Sequence, residues 1–201
     1  MRVQVSFLAP ISKTALQANF SFTMRFFHFL ICVILIYGGV MTKGFSAYDS
    51  ALMFSNSFKI LLNEHISART TGNYERFALV VPAMVNGAFA CELFLKALLE
   101  VPLRGHKLYN DLFCKLDLST AQEIETVAIE CFKKKKNTVI NSEQFISNFK
   151  TIERSFEEFR YFYEPQNDNE MKVYNIDFLE ILVFSLRAIC EQRFDIRPVQ
   201  E

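Results

Sequence analysis

The strongest constraint on this chain is the stretch Arg76–Val101, RFALVVPAMVNGAFACELFLKALLEV. Between Phe77 and Val101 only Glu92, Lys96 and Glu100 carry charge. A helix that is apolar on nearly every side sits either at the centre of a bundle or in a membrane. Pro82, Asn86 and Gly87 weigh against a membrane span, and Glu92 would lie inside it at high cost. The expectation is therefore the central helix of a soluble helical bundle, with the flanking segments as its cover.

Composition supports helices. Among 201 residues, glycine and proline are few (6 and 5), phenylalanine is abundant (22) and tryptophan is absent, which disfavours turn-rich β-structure. The length allows one domain with a sizeable core. The five cysteines stand at 32, 91, 114, 131 and 190, an odd number with no C-x-x-C pair. That pattern predicts buried free thiols in a reducing, cytoplasmic setting. His28, His65 and His106 lack ligand spacing to them, so neither a zinc site nor another cofactor is expected.

The zero net charge hides an asymmetry. Residues 1–44 hold Arg2, Lys13, Arg25 and Lys43 and no acid, leaving 18 basic against 22 acidic residues in 45–201. A mildly acidic domain is not built for bulk electrostatic binding of nucleic acid. Two domains of text follow from this: an N-terminal extension, 1–44, and a bundle domain, 45–201. Three readings of the extension stand open. Met41 is the true start; or 24–44 is a secretory signal or membrane anchor, with Arg25 ahead of the apolar run 26–40; or the segment is an ordered part of the fold. The run of about 15 residues is short for a span of about 20.

Within the domain, Phe45–His65 reads as a first helix, with Ala47, Leu52, Met53, Phe54, Phe58, Leu61 and Leu62 on one face. Residues 66–75 read as a polar connection turning at Thr71-Gly72-Asn73. The central helix is expected to end at Pro102. Leu108, Leu112, Phe113 and Leu116 fit a short amphipathic helix. Ser119 with Gln122 reads as a capping box opening a helix whose face is Ile124, Val127, Ala128 and Phe132 and which closes in Lys133–Lys136. Asn141 with Gln144 marks the next start. Helix 142–164 has the clearest period: Phe145, Phe149, Ile152, Phe156, Phe159 and Tyr163 recur every three or four residues. A last helix, about 174–194, offers Ile176, Leu179, Leu182, Val183, Leu186 and Ile189. The predicted architecture is all-α, an up-and-down bundle of about five helices.

Three pieces of this text form an ordered set: ACELFLKALL (Ala90–Leu99), GHKLYNDLF (Gly105–Phe113) and FEEFRYFYE (Phe156–Glu164). In this order they resemble the HEPN superfamily of α-helical domains, and most closely HEPN-like bacterial proteins with a G-H-x-L loop and an R-Y-x-x-E helix. The resemblance covers about 45–197. It implies a bundle that is often a homodimer. It also implies either a metal-independent RNase of toxin–antitoxin and phage-defence systems or a non-catalytic module that binds nucleotide or a partner protein. The RNase members carry R-x4-6-H. Here none of the three histidines follows an arginine at that spacing, and Arg160 is followed by YFYEPQ.

The candidate site is a set of charges in apolar surroundings. Glu92 and Lys96 lie one turn apart and can pair. An ionised Glu92 among Ala90, Cys91, Leu93, Phe94 and Leu95 needs a partner. Arg160 is a candidate for it, since its guanidinium grips a carboxylate in two-pronged fashion. Tyr161 and Glu164 follow Arg160 within about one turn, and His106 lies just past the central helix. These six form either a structural lock or a pocket for a phosphate or nucleotide. Lys133, Lys134, Lys135 and Lys136 complement a helix C-terminus, with contact to RNA or an acidic partner as the alternative. The leading expectation is a HEPN-like binding module for RNA, nucleotide, a cognate antitoxin or another partner protein. The alternatives are a divergent RNase toxin using Arg160 and His106, and a membrane-tethered or exported helical protein.

Overall fold

Periodic apolar faces become seven helical segments in the computed structural model, which describes residues 43–99, 105–160 and 175–196. These residues all belong to one compact unit, Thr42–Glu201. They comprise α1 (Lys43–Thr71), α2 (Tyr74–Phe77), α3 (Val80–Leu98), α4 (Leu118–Lys136), α5 (Ser142–Ile152), α6 (Ser155–Arg160) and α7 (Ile176–Arg193). A π-turn, Leu108–Leu112, and a 3-10 turn, Phe113–Lys115, link α3 to α4. No strand occurs among the described residues, so the all-α bundle stands. The expected extension 1–44, except Lys43 and Gly44 at the start of α1, lies outside the described residues, as do Pro102 and Tyr163.

α3 is the hub. It packs along α1, α7 and α6. By length and composition alone the run Glu75–Leu98 would pass for a membrane span. In the fold, however, Met84, Ala88, Ala90, Cys91, Phe94 and Leu95 are sealed inside the bundle, which is how a core helix behaves. Pro82 falls in the first turn, where its missing N–H breaks no helical hydrogen bond. Burial raises the thiol pKa of Cys91 and of Cys190 above the ordinary range. The expectation of buried thiols fails at Cys114, which is exposed, and Cys131 is half-buried.

Several boundaries differ from the sequence reading. α1 continues through Thr71 instead of stopping near His65, because Ala68 is buried and extends the contact face. The turn signal holds: Gly72 takes φ +68°, and the Asn73 side chain caps α2. Tyr74–Phe77 is a separate turn rather than the head of the central helix. His65 ties it down, its Nδ1 lying 2.8 Å from the Phe77 carbonyl oxygen. The Ser119–Gln122 box does not form. Asp117 caps α4 instead, accepting from the Thr120 N–H at 2.9 Å and the Thr120 hydroxyl at 2.6 Å. The helix therefore starts one residue before Ser119, which lies inside its first turn and no longer at a cap position. The Asn141–Gln144 box forms in full.

The largest departure lies in 142–164, which is not one helix. It breaks at Glu153 and Arg154 into α5 and α6. Phe145, Phe149 and Ile152 are fully buried and Phe159 nearly so. Phe145 and Phe149 meet Phe178 of α7 at 5.6 and 6.1 Å between centroids, and Phe113 of the linking turn at 5.8 and 5.0 Å. This aromatic cluster pins the α3–α4 connection to α5.

Gly87 has a packing reason. A Cβ there would stand 3.0 Å from both Leu179 Cδ2 and Phe58 Cδ2, and both side chains are buried. Gly87→Ala gains about 1 kcal/mol of helix propensity but overfills a contact with no slack, at about 1–3 kcal/mol. The expected net result is a lower melting temperature, measurable by thermal unfolding.

Tyr48 joins the start of α1 to the end of α7. Its ring meets Phe94 and Phe194 at 6.0 and 5.7 Å, and its hydroxyl donates to Glu191 Oε1 at 3.5 Å. Burial, aided by the Glu191 charge and opposed by Arg187, pushes the Tyr48 pKa from 10.0 up to about 12. The folded value lies above the unfolded one. The stabilisation is thus complete below 10.0 and lost as pH rises through about 12. Urea unfolding across that window is expected to show wild type losing stability faster than Tyr48→Phe.

Candidate functional site

Glu92 sits in the fourth turn of α3 with its side chain only 2% exposed. The same helix supplies its first partner: Lys96 Nζ donates to Glu92 Oε1 at 2.6 Å. His106 supplies the second, its Nδ1 lying 3.1 Å from that same oxygen. The sequence-predicted pairing of Glu92 with Lys96 and the approach of His106 are both present. Glu92 Oε2 is buried and has no hydrogen-bond partner among the described residues. The Arg160 side chain and all of Tyr161 and Glu164 lie outside the described residues; the backbone of Arg160 ends α6, which packs on α3.

The loop that brings His106 in is built by its own backbone contacts. Asp111 Oδ2 accepts from the His106 N–H at 3.4 Å and the Lys107 N–H at 3.2 Å. Gly105 makes room for this: a Cβ there would lie 2.6 Å from Asp111 Cβ. Leu108 and Leu112 are fully buried and hold the π-turn down. The far side of the loop is fastened to Glu153, whose carbonyl accepts from the Leu108 N–H at 3.1 Å. Its carboxylate accepts from the Asn110 N–H at 3.0 Å and from the Asn110 side chain. Lys150 lies over the Tyr109 ring at 5.3 Å.

Sequence reading missed Asn110, Asp111 and Glu153. Asp111 left a faint signal, since a short acidic side chain a few residues from a glycine commonly bonds neighbouring backbone N–H groups. Glu153 left none, being one of several acids on the polar side of an aromatic stripe.

The chemistry of the cluster follows from donor counts. With the Nδ1–H of His106 donating to Glu92, Nε2 is left as acceptor or, when protonated, donor. Lys96 keeps further N–H donors. The His106 and Lys96 side chains are 59% and 25% exposed, whereas Glu92 is enclosed. The cluster thus presents donors outward and its carboxylate inward. No group of three metal-competent side chains converges among the described residues.

The Lys133–Lys136 run has a further role besides complementing a helix end. Lys135 pairs with Glu180, and Lys136 Nζ lies 2.6 Å from Asp177 Oδ1, tying α4 to α7. Arg193 closes the opposite end of this pair, donating to the Thr120 hydroxyl. Lys133 and Lys134 are exposed.

The burial asymmetry makes a prediction about stability. Lys96→Met leaves an enclosed carboxylate with His106 as its one partner among the described residues, and is expected to cost about 2–3 kcal/mol. Glu92→Met leaves Lys96 and His106, both partly exposed and able to turn to water, and is expected to cost less. The double variant Glu92→Met/Lys96→Met is expected to be more stable than Lys96→Met alone. Denaturant midpoints for the three proteins check the order.

Compared with protein-family models, characterised proteins and solved structures, this chain has no match.

Proposed function

We propose that this chain is a HEPN-like binding module that takes a phosphate-bearing ligand, an RNA or a nucleotide, at Lys96 and His106. The observation that carries the reading is the shared anchor: one enclosed oxygen, Glu92 Oε1, holds both Lys96 Nζ and His106 Nδ1. The outward edge of that pair offers N–H groups of the kind that bind phosphate oxygens. Positioned donors need little reordering when an anion arrives. In this reading the protein works in the cytoplasm as part of a bacterial defence, toxin–antitoxin or stress-related system, as a homodimer or beside a cognate partner protein.

A second reading rests on the Glu92–His106 contact itself. A carboxylate that fixes the tautomer of an exposed imidazole is an arrangement suited to general acid–base chemistry. In that case the chain is a divergent RNase, with His106 moving the proton and Arg160 steadying phosphate charge.

Binding is read by titrating the full chain with inorganic phosphate and with a fluorescein-labelled oligoribonucleotide. His106→Ala is expected to weaken both by about tenfold, the scale of one charge-assisted hydrogen bond. Wild-type protein that binds neither probe removes the proposal. Cleavage of the labelled RNA in the presence of chelator, lost in His106→Ala and Arg160→Ala, selects the RNase reading over the binding one.

A further inference from the structure

We infer that Glu153 is a positioning residue for His106, and that the break between α5 and α6 is the seat on which the imidazole-bearing loop is held. This rests on the proposed site and concerns how that site is kept in register.

The His106 ring is too exposed for packing to hold it. Its reach to Glu92 therefore depends on where the backbone of residues 105–112 sits. Three donors of that backbone and its side chains converge on Glu153: the Leu108 N–H on its carbonyl, and the Asn110 N–H and side-chain amide on its Oε1. A second carboxylate works from inside the loop, since Asp111 Oδ2 accepts from the His106 and Lys107 N–H groups. Glu153 thus fixes where the turn lies, and Asp111 fixes how His106 leaves it. The Glu153 carbonyl serves this purpose at the point where the helix is interrupted. Straightening α5 into α6 would withdraw it from Leu108. The geometry of the helix break and the placement of His106 are consequently one variable, and a contact that changes the first changes the second.

Imidazole 15N resonances of the full chain test this. In wild type, His106 is expected to show a single tautomer with Nδ1 protonated. Glu153→Ala is expected to shift the His106 signals toward a tautomer mixture and to weaken inorganic phosphate binding about fivefold, less than loss of the imidazole itself, because the Leu108 and Asp111 ties of the loop remain. Glu153→Gln keeps an acceptor for Asn110 and is expected to restore both. Asn110→Ala, at an exposed position, is expected to move the His106 signals in the same direction and decides the matter if Glu153→Ala does not fold. His65, buried against Phe77, is the internal control and is expected not to move. Unchanged His106 signals in these variants, or equal shifts at His65, would overturn the inference. If wild type binds no phosphate, the binding proposal falls while the imidazole signals still judge Glu153.

Discussion

A single charge in the middle of the most apolar helix organises this fold. Glu92 is enclosed by α3 and its neighbours, and an ionised carboxylate in such a place is tolerated only with donors at hand. One donor comes from the next turn of the same helix, as Lys96. The other must come from elsewhere, and the chain returns it only 14 positions later as His106. The turn that begins at Gly105 is accordingly packed against α3. That requirement explains a glycine at 105, a π-turn in place of a regular helix, and an acidic side chain spent on backbone N–H groups.

The same requirement reaches the other side of the bundle. A loop with this many turned-in N–H groups needs acceptors, and the break in the 142–160 segment provides them. An unbroken helix would extend the aromatic stripe from Phe145 through Phe159 with uniform backbone bonding. The observed chain interrupts it at Glu153 and uses that residue's carbonyl and carboxylate for the loop. The apolar stripe survives the interruption: Ile152 and Phe159 are still buried on either side. Burial is kept, and the regular hydrogen-bond ladder gives way where the loop docks.

This also explains which features were legible beforehand. The central helix announced itself by its shortage of charge, α5 by its Phe period and its Asn141–Gln144 box, and the Glu92–Lys96 pair by its four-residue spacing. Each is a local rule, and each held. The failures are places where a tertiary contact overrode a local rule. Helix 142–164 is periodic throughout, so no pattern could reveal a break dictated by a loop 43 residues away from Glu153 at Asn110. The cap of α4 moved to Asp117 because that carboxylate takes the Thr120 N–H, starting the helix before Ser119, and lies 3.6 Å from Arg193 at the end of α7. The end of α1 moved because Ala68 is buried and His65 is held against Phe77 of the α2 turn. Of the site, the part on α3 and the histidine were readable, and the parts that hold the histidine in place were not.

The cluster is hard to explain as a device for stability alone. Buried ion pairs are often matched or bettered by well-packed apolar residues of the same volume, and among the described residues Glu92 Oε2 has no hydrogen-bond partner to offset its loss of water. A lock would be expected to enclose every member. Here only the acid is enclosed, while the imidazole faces solvent. An enclosed acid that orients an exposed base is an expensive way to join two segments but an effective way to hold donors toward an arriving anion. That difference in burial, within one cluster of three side chains, is the physical ground for reading it as a binding surface.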